Sequence, residues 1–214
     1  MARRVARLTL DTLADLPETA RSCLQWELDP VARHRLHDHE SAVAEKEAWL
    51  SRVLLDWGSC GRVAYVDDEP AGFVVYAPPA YLVGSASMAT APISDDAVQL
   101  AAAEVFGPYT GAGLGRLLMQ EVVKDLLQRG GIRAVEAFGT TSTRTTRLDR
   151  GTRAVRHPGE HECLLPAEFL QRVGFKTQRP HPRTPRMRLE LKSVVTWREE
   201  VEGALERLLG AVSG

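Results

Sequence analysis

Gly111, Gly113 and Gly115 stand at alternate positions at the end of the run VFGPYTGAGLG, residues 105–115, and RLLMQEVVKDLL follows directly. Glycines there remove the side chains that would hold a ligand away from the backbone. The stretch after them has the spacing of an amphipathic helix. The first turn of such a helix leaves N–H groups without internal partners, at the positive end of its dipole. Together these features predict a cradle for phosphate, and above all for a pyrophosphate. Two common phosphate loops fail on spacing. A P-loop needs Lys followed by Ser or Thr, which is missing after these glycines. A G-x-G-x-x-G fingerprint counted from Gly111 ends on Arg116, and counted from Gly113 it ends on Leu118.

Other reactive residue types are dispersed. Cys23, Cys60 and Cys163 show no C-x-x-C spacing, so neither a zinc site nor a disulfide framework is expected. His34, His37 and His39 lie beside Asp38 and Glu40, but H-x-x-H-x-H matches no strong zinc pattern, and Arg33 and Arg35 would oppose a cation. No metal is expected. Arg144, Arg147, Arg150, Arg153 and Arg156 recur every third residue. They suit either recognition of an acidic acceptor or of anionic phosphates, or a solvated loop. His157 and His161 at the end of that loop could carry protons.

These groups need elements to position them. Periodicity predicts a strand over Val5 to Leu10, a helix over Ala14 to Glu27 and another over Ala42 to Trp57. A hairpin is expected over residues 62–76, with its turn at 67–70. A strand over Asp96 to Phe106 leads into the glycines, and Gly130 and Gly131 stop the helix that follows them. Further strands are expected over Ile132 to Phe138 and Arg186 to Leu191, with a terminal helix at about 196–212. A long loop covers about 139–162. The reading is an α/β fold in a single domain over 1–214. With 214 residues, 44% hydrophobic and 26% charged, the chain has the make-up of a soluble globular protein. Its net charge of −1 argues against nucleic-acid binding. No apolar run is long enough for a signal peptide or a membrane span, so a cytoplasmic location and no membrane partner are expected.

The glycine run resembles the signature of the GNAT acetyltransferase superfamily, with Val105, Tyr109, Gly111, Gly113, Leu114 and Gly115 at matching positions. Thr110 replaces the usual Arg or Gln, and Gly107 stands where proline is common. A second segment, AEFLQRVGF at 167–175, resembles the family's later A-x-x-F-Y-x-x-x-G-F, and the likeness extends from about Val63 to Leu191. The resemblance implies a mixed, mostly antiparallel central sheet flanked by helices. It would splay around acetyl-CoA between the strands near 98–106 and 132–138. Thr110, Gly111, Ala112, Gly113, Leu114, Gly115 and Arg116 would hold the pyrophosphate, chiefly by backbone N–H groups. Val105 and Phe106 would flank the pantetheine, and Phe169 and Arg172 would stand near its far wall.

The implied activity is N-acetyl transfer from acetyl-CoA to a primary amine, on a small molecule or a protein, by direct attack in a ternary complex. Glu104 is the expected general base if its strand turns it toward the substrate; on the other face it would be a solvated carboxylate. Leu170 stands where many relatives have a tyrosine acid, and leucine cannot donate a proton. Cys163 is a candidate substitute, with a buried small apolar residue as the alternative reading. Trp26, Glu27, His34 and His37 are candidates for the acceptor pocket, although core packing is the stronger expectation for Trp26. The alternatives are a donor other than acetyl-CoA, such as a succinyl thioester, or a CoA-binding sensor with little turnover. Dimers are frequent in the family, so a homodimer is among the expected assemblies.

Overall fold

The computed structural model describes residues 2–36, 38–142 and 163–194. Eight strands appear among them: β1 (Arg3–Arg7), β2 (Gly61–Val66), β3 (Glu69–Ala77), β4 (Ala97–Val105), β5 (Ala134–Thr140), β6 (Leu165–Pro166), β7 (Lys176–Arg179) and β8 (Arg186–Glu190). They form one sheet in the order β1-β2-β3-β4-β5-β8-β7, with β6 beside β5. Pairing is antiparallel except for β4 with β5 and β5 with β6. The mixed, mostly antiparallel sheet expected from the sequence is therefore present. β4 and β5 pair only from Ala97–Ala134 to Gln99–Glu136. Beyond those three residues the two halves of the sheet part, as the resemblance implies.

β2 is buried throughout and β3 nearly so, because helices cover both faces of the sheet. On one face lie α1 (Leu10–Leu13), α2 (Glu18–Ser22), α3 (Pro30–His34) and α4 (His39–Asp56). Leu13, Leu16, Trp26, Trp49, Leu50 and Val53 pack there with Val63, Phe73, Val75 and Ala101. On the other face, α5 (Leu114–Arg129) and α6 (Ala167–Arg172) set Leu118, Val122, Leu126 and Leu170 against Val74, Tyr76, Leu100 and Val135.

Several element boundaries differ from the sequence reading. β1 ends at Arg7 because Thr9 caps α1, its hydroxyl accepting from the Thr12 N–H. The single helix expected over Ala14 to Glu27 is broken. Pro17 starts the short α2, and the residue before a proline is pushed toward extended backbone. The hairpin turn tightens to Asp67 and Asp68, both with positive φ, a pairing that suits a two-residue turn between twisted strands. β5 begins at Ala134 and runs on to Thr140. The terminal helix at 196–212, most of the long loop with its five arginines, His157 and His161 lie outside the described residues. No helix among the described residues is long and apolar enough to cross a membrane.

A buried polar cluster fixes α5 to the sheet. Asp125 accepts from Arg62 Nη2, Tyr76 Oη and Arg129 Nε, each at 2.8 Å. Arg129 also donates to the carbonyls of Trp57 and Ser59 and stacks on the Trp57 ring at 4.0 Å. Burial is the largest influence on the Asp125 carboxyl and pushes its pKa up, but the hydrogen bonds from Arg129, Tyr76 and Arg62 together hold it below the ordinary 3.8. A depressed carboxylate stabilises the fold fully above its unfolded pKa, and that contribution is lost as pH falls through the folded value. Replacing Asp125 by Ala should cost about 3 kcal/mol in urea unfolding at neutral pH, since it strands Arg62. The difference from wild type should shrink in acid below the ordinary carboxylate pKa. A neutral-pH loss below about 1 kcal/mol, the scale of an exposed pair, would contradict this account.

Candidate active site

The phosphate-loop candidates sit where the chain leaves β4 and enters α5. Gly111 has φ +84° and Gly113 has φ +80°, left-handed conformations that cost other residues about 1–2 kcal/mol. A Cβ at either glycine would meet nothing within 4 Å, so the backbone conformation, not crowding, selects glycine here. No side chain caps α5, which leaves its first N–H groups facing outward. Leu114 is buried against Val66 and Ala71, and Val105 and Tyr109 pack on the same patch. Thr110, Ala112 and Arg116 are exposed.

Gly115 has a different role. A Cβ there would stand 3.2 Å from the Phe169 ring, so this glycine lets α6 press against α5. Phe169 is thus half-buried between helices, and exposed Arg172 shares a cleft with Arg116. Arg3, which sequence reasoning missed, shares a second cleft with Gly113 and Arg116. Its position is set by the pairing of β1 with β2, which no local motif announces.

Glu104 depends on a bulge. Val75 pairs with Ala102 but Tyr76 pairs with Leu100, leaving Ala101 as the extra residue in β4. Before the bulge, Ala97 packs on the α1–α4 side and Val98 and Leu100 on the α5 side. After it the alternation is inverted, so Ala102 and Phe106 face the α1–α4 side and Glu104 turns the same way, opposite Phe73. Glu104 lines a cavity of about 230 Å³ bounded by Leu13, Leu16, Trp26, Trp49 and Phe73. The residue remains exposed at the cavity edge, yet partial burial of its carboxyl raises its pKa above the usual 4.5. This is the direction a base working near neutral pH needs.

Glu27 and Lys46 close the inner wall, at 4% and 6% exposure, and form an ion pair. Lys46 Nζ also donates to the Cys23 carbonyl at 2.7 Å, and Glu27 accepts from the Trp26 backbone N–H. Trp26 is both core and wall, as it stacks on Phe138 while lining the cavity. His34, at the end of α3, does not line the cavity, and His37 lies outside the described residues. Among the described residues no group of His, Cys, Asp and Glu could hold a metal.

Two expectations about cysteine are corrected. Cys23 and Cys163 form a disulfide across 140 residues of sequence and line the same cavity. Cys163 therefore has no thiol proton to give, and the candidate acid is lost. Leu170 offers none either, being fully buried against Gly139. Cys60 is the free cysteine among these residues, and burial pushes its thiol up to about 12. Alkylation of the unfolded, unreduced protein should label Cys60 alone by mass spectrometry; labelling at all three cysteines would contradict the bridge.

The family model described as the acetyltransferase (GNAT) family matches residues 20–148. The chain belongs to that family. Its fold is similar to an N-acetyltransferase from Staphylococcus aureus, at 11% identity and a TM-score of 0.53 over 89% of this chain and 99% of the other. PaiA N-acetyltransferase from Thermoplasma acidophilum, solved with coenzyme A, is 16% identical with a TM-score of 0.51, covering 89% and 99%. YncA from Salmonella typhimurium, solved with its cofactor acetyl-CoA, is 13% identical with a TM-score of 0.53, covering 89% and 95%. No curated protein matches the chain in sequence.

Proposed function

We propose that this chain is an N-acetyltransferase that moves an acetyl group from acetyl-CoA to a primary amine by direct attack in a ternary complex. One observation carries the reading: the β4 bulge turns Glu104 into a cavity just where β4 has parted from β5. The glycine loop fits a pyrophosphate, since its backbone is open at Gly111 and Gly113 and Arg3 and Arg116 flank it. Phe106 packs on the cavity side, and Phe169 supports the loop from behind through Gly115. The two relatives solved with coenzyme A or acetyl-CoA support the choice of donor.

Acetyl-CoA supplies an activated acyl carbon: the amine nitrogen bonds to it, the carbon–sulfur bond breaks, and the bonding pair leaves on sulfur. Two protons leave the ammonium nitrogen in the course of the reaction. Glu104 takes the first, freeing the lone pair that attacks, and returns it to solvent. The second balances the charge on the departing sulfur through water, because Leu170 and the bridged Cys163 cannot supply a proton. Apolar walls around Glu104 raise its basicity and hold the amine in an attack position.

The buried Leu170 favours a second reading, a CoA-binding module with little turnover. Replacing Glu104 by Gln separates the two. Transfer predicts a fall in kcat of about 10²–10⁴-fold, the usual contribution of a general base. Calorimetric affinity for acetyl-CoA should be nearly unchanged. In the wild type, kcat/KM should rise with pH through the elevated Glu104 pKa, and that acid limb should vanish in the variant. Acetyl-CoA binding with no thiol release from a broad amine panel would favour the binding module.

A further inference from the structure

The cavity beside Glu104 carries information about the acceptor, provided that the transferase reading of this site holds. We infer that the acceptor is a compact primary monoamine with an apolar body, an arylalkylamine or a branched alkylamine. It is not a polyamine, an amino acid or an extended peptide.

Charge is the first argument. The wall carries Glu27 and Lys46, but they neutralise each other, and each makes a further hydrogen bond to backbone. Glu104 remains to meet the reacting ammonium. A second ammonium or a carboxylate on the substrate would find no counter-charge among the described residues of the cavity, and burying an unpaired ion is severely unfavourable. The remaining surface is chiefly apolar, with Leu13, Leu16, Trp49 and Phe73 each no more than 4% exposed. Such a wall rewards an apolar body and gives nothing to a polar one.

Size is the second argument. An apolar cavity of about 150 Å³ holds a benzene ring. At about 230 Å³ this cavity has room for one ring and a short amine-bearing arm. A folded protein surface or a run of peptide backbone would need a wider opening and partners for its amides.

Calorimetric titration of the CoA-loaded protein with phenethylamine, hexamethylenediamine and phenylalanine tests this. The last two add a second cation and a carboxylate to bodies of comparable size. Phenethylamine should bind at least about tenfold tighter than either. Thr19→Phe and Ala20→Phe fill the cavity from α2, and each should weaken phenethylamine at least about tenfold while the affinity for CoA and the circular dichroism spectrum hold. Equal or tighter binding of the diamine or the amino acid would overturn the inference. So would phenethylamine affinity unchanged in both variants, or no phenethylamine binding at all. Thiol release from acetyl-CoA is read separately. Selective phenethylamine binding without it would support the cavity assignment and refute the transferase reading. Thiol release with a lysine peptide but no phenethylamine binding would do the reverse.

Discussion

β4 is paired on both sides at Gln99 alone: β5 runs beside Ala97 to Gln99 and β3 beside Gln99 to Val105. Beyond Gln99 it keeps β3 as a partner and gives up β5, so its other edge presents unpaired backbone groups. Such an edge is normally covered or blunted. Here it opens between the two halves of the sheet, and the rest of the site is arranged around it. The glycine loop lies at its end, α5 starts from that loop, and the α1–α4 layer forms the wall opposite Glu104. The Asp125 cluster matters to this arrangement because it anchors the far end of α5 to β2 and β3. α5, which starts from the glycine loop, is thereby held against β2 and β3, and β3 pairs with the strand that carries Glu104.

Unsatisfied polar groups mark the same region. Gln99 is fully buried, and neither its side-chain oxygen nor its nitrogen has a partner. It is the last residue of β4 that faces β5 before the strands separate. The Trp26 indole N–H is likewise buried without a partner. Each buried, unmatched group costs about 1–3 kcal/mol. Sites that bind ligands are where a fold tolerates such local inconsistency.

The conformation of the glycine loop was legible in the sequence because it is local. Gly111 and Gly113 must adopt positive φ, and Gly115 must admit a neighbouring helix, so three glycines declare the loop. The β2–β3 hairpin and the stop at Gly130 were legible for the same reason. The surroundings of Glu104 were not. The Ala101 bulge leaves no trace in a run of alanines, and without it the face of Glu104 is undetermined. Pro17 breaks the helix expected over Ala14 to Glu27, whose apolar Leu16, Leu24 and Trp26 read as one continuous run. Breaking it is what turns Trp26 and Glu27 inward. The Cys23–Cys163 bridge joins residues 140 apart, and pairing at that range follows from the fold, not from spacing.

Hydrogen exchange read by mass spectrometry, with and without acetyl-CoA, tests most directly whether the donor lies along the open edge of β4. The expected result is slowed exchange in two segments, residues 101–106 on that edge and residues 110–116 in the glycine loop. Binding detected by calorimetry with exchange unchanged in both segments would contradict the account.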